Sequence, residues 1–139
     1  MTHDVGWVSP ERIIGCYFYD TVTVDDVHGV YAKVRALLPQ GEAPVHIVMD
    51  HRCVQQYQLS LRQFQNIFGQ PLTNKFGQAV LIIPNPVMRL FSSVMTRAVH
   101  TNLSLVASPE AALTLLCNSD TTLPPIHIPF TLVDDGASD

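Results

Sequence analysis

The chain has 139 residues and a formal net charge of −4, and 47% of its residues are hydrophobic while only 14% are charged. This length and apolar content are typical of one folded domain with a single core. The eight lysines and arginines are outnumbered by twelve acidic residues. Such a composition offers no basic surface for the phosphates of a nucleic acid, and it therefore excludes nucleic-acid binding from the expected functions.

The N-terminal residues Met1–Asp4 lack the charged and apolar regions of a secretion signal, and no apolar stretch approaches the roughly 20 residues that span a bilayer. The three cysteines, Cys16, Cys53 and Cys117, are widely spaced and form no Cys-x-x-Cys pair. This usage is typical of reduced thiols. We therefore expect a cytoplasmic protein without a membrane span.

The first elements in chain order are a hairpin and a helix. The short apolar segment Val5–Val8 precedes a turn, and we expect it to pair antiparallel with the apolar run Ile13–Tyr19 as an edge strand. Thr23 is then a helix N-cap, because two aspartates follow in the first turn, where the helix dipole favours negative charge. Apolar residues at helical spacing continue until Pro39 ends this first helix.

The next apolar run, Val45–Met49, leads into the polar cluster Asp50, His51 and Arg52. We interpret this as a strand that ends at the ligand-facing edge of an α/β sheet. A second helix begins at Ser60, because Gln63 stands three residues later and completes a capping box.

Two more apolar runs, Ala79–Ile83 and Leu103–Ala107, alternate with helix starts at Asn85-Pro86 and Ser108-Pro109. Strands that alternate with helices predict crossover units and a largely parallel sheet. We expect one domain over residues 1–118. Residues 119–139, rich in proline, predict an extended or partly disordered tail that lays Ile126, Ile128 and Phe130 across the domain or a partner.

A hairpin leads to the Thr-capped acidic helix start at Tyr19–Asp26, a strand leads to Asp50, and Ala79–Ile83 and Ser108–Ala112 follow in order. In order and spacing, the chain from Val5 to Cys117 resembles SpoIIAA-like and STAS-type proteins. The resemblance implies an α/β fold with a mixed sheet of four to five strands, an N-terminal β-hairpin and about four helices chiefly on one face. It also implies a regulatory or scaffold module that binds a protein partner without catalysis.

In the anti-sigma-factor antagonists of this family, a strand-terminal aspartate is followed by a phosphorylatable serine or threonine at a helix N-terminus. Asp50 and Ser60 match that arrangement, but Gln58-Leu59 replaces the acidic residue that the family places beside the acceptor. Two interpretations of Ser60 therefore stay open. It is either a regulatory phosphosite or only an N-cap that contributes about 1 kcal/mol.

The polar cluster also has two interpretations. As a binding site, Arg52 pairs with an anion, His51 moves a proton and Asp50 orients either of them. As plain structure, Asp50 satisfies loop amides. The alternative function is a carrier or sensor for a small apolar or anionic ligand, with a pocket beside the strand that ends at Asp50. Five aromatic or methionine residues are candidates to line it: Phe64, Phe68, Phe76, Phe91 and Met95.

Motifs for other chemistries are missing from the sequence. The six histidines show no paired metal-ligand spacing, the glycines form no phosphate-binding loop, and there is no nucleophile elbow. We therefore expect no metal, no cofactor and no catalytic residues. The exposed edge strand and the apolar tail favour self-association as a homodimer.

Overall fold

The structure is a computed structural model that describes residues 3–68, 75–83 and 103–125. These residues form a five-stranded sheet in which the strands lie side by side in chain order. The strands are β1 (His3–Ser9), β2 (Ile13–Thr23), β3 (Val45–Gln58), β4 (Phe76–Ile82) and β5 (Leu103–Val106). β1 is antiparallel to β2, and the other three pairings are parallel. The mixed sheet and the N-terminal hairpin are thus confirmed.

The described part of the chain contains three α-helices: α1 (Val24–Leu37), α2 (Leu61–Phe68) and α3 (Pro109–Ser119). A short 3-10 helix, Leu38–Gln40, follows α1 and contains the proline predicted to end it. The helix predicted to begin at Asn85-Pro86 lies outside the described residues. The α/β class is confirmed by the elements that the structure describes.

The start of α1 has the Thr23 N-cap that its sequence predicts, and the structure adds a full capping box. The Thr23 hydroxyl accepts the Asp26 N–H at 3.2 Å, and the Asp26 carboxylate accepts the Thr23 N–H at 2.9 Å. The helix buries one apolar stripe, which consists of Val27, Val30, Tyr31 and Val34. Burial of this stripe is the main free-energy gain that holds α1 on the sheet.

Helices cover both faces of the sheet, because neighbouring residues of a strand point to opposite sides. On the first face, Ile14, Cys16, Ile47 and Met49 pack with α1 and with Ile67 of α2. On the second face, buried residues of the strands pack with two residues of α3. These are Ile13, Val48, Val80, Ile82 and Val106 in the strands, and Ala112 and Leu116 in α3. Two of the three described helices therefore share one face.

The strand predicted to end at Asp50 continues to Gln58, so that boundary is wrong. β3 pairs with β4 as far as Asp50, which lies opposite Ile82, and then continues beside β2 until Gln58 lies opposite Thr23. This outer half of β3 has mostly polar side chains, and Val54 and Tyr57 are its hydrophobic residues that pack against the core. A strand with one face exposed to solvent has many polar residues, so its sequence resembles that of a loop.

Two bulges bend the outer half of β3. Tyr17 lies opposite Asp50 and Tyr19 lies opposite Cys53, so that His51 and Arg52 together oppose one β2 residue. A second extra residue lies between Val54 and Gln56. Bulges of this kind re-aim side chains at the rim of a sheet. The first bulge sets the directions of the polar cluster.

Candidate functional site

Asp50 and Arg52 form a closed ion pair at the first bulge. The Asp50 carboxylate, in a residue that is only 7% exposed, accepts the backbone N–H of Arg52 at 3.0 Å. It also accepts the guanidinium through Nε at 3.0 and 3.1 Å and through Nη2 at 2.7 Å. The hydrogen bond with Asp50 raises the pKa of Arg52. Asp50 therefore both satisfies a bulge amide and orients Arg52.

The Arg52 side chain remains 41% exposed despite this pairing. Glu110, in the first turn of α3, also contributes to the field that acts on it. The carboxylates of Asp50 and Glu110 offset the charge of Arg52. Arg52 therefore acts at the surface mainly as a hydrogen-bond donor with a fixed direction, and less as a free cation.

His51 lies on the core side of β3 and not in an exposed loop. It is 6% exposed, and its ring centroid is 4.6 Å from that of Phe18. Nδ1 is hydrogen-bonded to the Tyr57 hydroxyl, while Nε2 has no hydrogen-bond partner within the described residues. Burial lowers the pKa of His51 to about 3. The imidazole is therefore neutral at physiological pH and does not suit the proton transfer considered from the sequence.

Ser60 has the predicted capping geometry and lies away from the cluster. Its hydroxyl accepts the Gln63 N–H at 3.1 Å, and the Gln63 side chain accepts the Ser60 N–H at 2.7 Å. The part of β3 from Asp50 to Gln58 pairs with the part of β2 from Tyr17 to Thr23. This part of β2 is about 20 Å long as extended chain. The structure thus brings Asp50, His51 and Arg52 together and leaves Ser60 at the far end of the strand.

A second polar cluster joins residues that the sequence did not connect. His46, near the start of β3, is 2% exposed. Its Nδ1 accepts the Gln78 N–H at 3.0 Å, so Nε2 carries the proton and donates to Asp120 at 2.9 Å. Arg12 donates to the same Asp120 oxygen at 2.6 Å. No local signal pointed to this cluster, because Asp120 is 74 positions from His46 and 108 from Arg12.

The residues just after the predicted domain boundary are tied to this cluster. Arg12 donates to the carbonyl oxygen of Thr122 at 3.2 Å and to its hydroxyl at 3.0 Å. Leu123 packs against the second-face core. Ile126, Ile128 and Phe130 lie outside the described residues, so the boundary at residue 118 and the tail stay predictions.

The described residues contain no group of three or more histidines, cysteines and carboxylates that could hold a metal ion. No helix in this part of the chain is long and apolar enough to cross a membrane. Of the five candidate pocket residues, Phe76 is partly buried and packs on the first-face core. The side chains of the other four lie outside the described part of the structure, namely Phe64, Phe68, Phe91 and Met95.

The mixed sheet, the hairpin and the flanking helices define a SpoIIAA-like α/β fold, as the sequence resemblance implied. The chain is similar to the anti-sigma factor antagonist SpoIIAA in its unphosphorylated form, with a TM-score of 0.52 and 16% identity over 82% of this chain and 96% of that one. The chain is also similar to the Bacillus cell fate determinant SpoIIAA in its phosphorylated form, with a TM-score of 0.50 and 15% identity over 81% of this chain and 98% of that one.

An uncharacterized protein of the DUF3478 family from Shewanella loihica PV-4, which has a SpoIIAA-like fold, gives a TM-score of 0.58 and 12% identity over 83% of this chain and 92% of that one. No protein-family model matches the chain, and no curated protein does. At these identities the similarity establishes the fold alone. The function has to be argued from the residues of the site.

Proposed function

We propose that the protein is a cytoplasmic, STAS-like regulatory module that binds a protein partner without catalysis. The partner contacts the β3–α2 surface, which we define by seven exposed residues of the outer half of β3 and the start of α2. They are Arg52, Cys53, Gln55, Gln56, Gln58, Ser60 and Arg62. The observation that carries the proposal is the exposed hydroxyl of Ser60 at the N-cap of α2.

An N-cap serine is a position where a charge can be added without unfolding the domain. A phosphate on Ser60 would lie at the positive end of the α2 dipole, which favours an anion. The segment from His51 to Lys75 contains no aspartate or glutamate. A phosphate there would therefore change the sign of the local potential, and a bound partner would sense that change directly.

The fold similarity to SpoIIAA, which is known in phosphorylated and unphosphorylated forms, supports this role. Within the proposal, the four predicted site residues divide by exposure. Arg52 and Ser60 face outward and contact the partner, whereas Asp50 and His51 are buried and hold the bulge that directs Arg52.

The test compares capture of partners by wild type, Ser60→Asp and Ser60→Ala, with Ser108→Asp as the matched control. Ser108 caps α3 in the same way, since its hydroxyl accepts the Ala111 N–H at 3.1 Å. The proposal expects Ser60→Asp to change the set of captured proteins while Ser108→Asp leaves it unchanged. If all four proteins capture the same partners, Ser60 is a helix cap and nothing more.

A second comparison tests the position of the surface. Arg52→Gln removes a directed donor from the β3–α2 surface, and Lys33→Gln removes the same charge from the exposed side of α1. We expect weaker binding of the captured partner only for Arg52→Gln. Equal loss in both variants would mean that net charge, and not this surface, controls binding.

A further inference from the structure

His51 has a buried ring nitrogen that no residue in the described ranges satisfies. Nδ1 is hydrogen-bonded to the Tyr57 hydroxyl, whereas Nε2 is buried and has no hydrogen-bond partner among the residues that the structure describes. A buried polar atom without a partner costs free energy, and native proteins contain few of them. An oxygen atom supplied by a bound molecule would recover that cost.

The position of His51 is a second, independent observation. It belongs to the first β3 bulge, next to Asp50, which is the last β3 residue that pairs with β4. Ligands of open α/β sheets bind outside the carboxyl ends of the parallel strands. Bulges beside such sites direct a side chain that a regular strand would point elsewhere.

We propose that His51 is the polar contact of a binding site for a small, uncharged molecule that has an apolar body and a hydroxyl group. The site lies on the core side of β3, and it does not depend on the partner surface proposed above.

The surroundings of His51 select this chemistry. Phe18 and Tyr57 flank the imidazole, with ring centroids at 4.6 and 5.8 Å, and they favour an apolar body. The neutral imidazole offers no charge to an anion, and the Asp50 carboxylate next to it repels one. A hydroxyl suits Nε2 in either tautomer, because its oxygen can both accept and donate a hydrogen bond.

The experiment uses phenol and toluene, which differ only in the hydroxyl and methyl groups on the same ring. We titrate each compound into full-length protein labelled with ¹⁵N in its histidines and follow the Nε2 chemical shift of His51. Phenol should shift this signal in a saturable way. It should also bind about fivefold more tightly than toluene, as expected for one net hydrogen bond.

Two variants separate the hydrogen bond from general apolar binding, with the affinities of both read from perturbed backbone amide signals. His51→Phe keeps a flat ring beside Phe18 and removes both nitrogens, so toluene binding should persist and the preference for phenol should disappear. His28→Phe, on the exposed side of α1, should keep the preference. An Nε2 signal that neither compound shifts, or an equal preference in wild type and His51→Phe, overturns the proposal.

Discussion

Nε2 of His46 donates a hydrogen bond to the carboxylate of Asp120 at 2.9 Å, which joins the third strand to the residue that follows α3. Arg12 reaches the same carboxylate from the turn between β1 and β2. The Asp120 side chain is only 9% exposed. One anion thus ties three distant parts of the chain together in a place where water screens it little.

Replacing Asp120 with asparagine should lower the free energy of unfolding by about 2 kcal/mol, which is the usual contribution of hydrogen bonds to a charged group. The change keeps the shape of the side chain but removes the charge that Arg12 and His46 face. Urea denaturation of wild type and Asp120→Asn measures the difference. Glu42→Gln, at an exposed position, is the control and should change stability by less than about 0.5 kcal/mol.

The contribution of Asp120 should depend on pH in a defined window. Burial acts to raise the pKa of Asp120, but hydrogen bonds from Thr122 and His46 and the charge of Arg12 outweigh it and hold that pKa below its usual range. The stabilisation is therefore complete above the ordinary aspartate pKa of about 4 and is lost as the pH falls below it. The gap between wild type and Asp120→Asn should narrow only below that pH. A gap that closes near pH 6 would contradict this assignment.

His51 should make the protein less stable in mild acid. Its pKa is lowered from 6.5 to about 3 by burial, so the unfolded chain takes up a proton in this range and the folded chain does not. Stability should therefore fall with decreasing pH between these two values, by up to about 1.4 kcal/mol per pH unit from this group. Unfolding curves of His51→Phe at the same pH values should lack this component. Parallel pH profiles for the two proteins would show that His51 does not titrate in this way.

The Ser60 cap makes a prediction about stability that is separate from partner binding. Ser60→Ala should cost about 1 kcal/mol because the Gln63 N–H loses its acceptor. Ser60→Asp should cost almost nothing, since aspartate caps well and suits the helix dipole. Thermal unfolding monitored by circular dichroism checks both. A large loss of stability in Ser60→Asp would show that the serine hydroxyl has a further structural role.

The homodimer expected from the sequence stays a prediction, and β1 now gives it a location. β1 is an edge strand whose outer side no described strand covers, and such edges favour two-fold strand pairing. Light scattering at tens of micromolar should give twice the mass of the chain. Removal of residues 126–139 should weaken the dimer and leave the domain folded. A monomer at that concentration would refute the prediction.

The helix starts could be predicted from the sequence because their hydrogen bonds are local. Thr23 with Asp26, Ser60 with Gln63, and Ser108 with Ala111 each join residues three positions apart. The central strands could also be predicted, since burial on both faces makes them apolar at nearly every position. Asp50 and Arg52 pair because residues close in sequence stay close in space, whereas His51 between them faces the core.

The contacts that each strand makes with other parts of the chain depended on the tertiary structure. The outer half of β3 is a strand because β2 pairs with it, and its own residues are too polar to indicate that. His51 is buried because a bulge turns it toward Phe18 of the neighbouring strand. His46 forms its hydrogen bond with Asp120 only when α3 packs on the second face of the sheet. Local sequence determined the caps and the strand cores, whereas packing between distant segments decided which polar groups are buried and which partners they have.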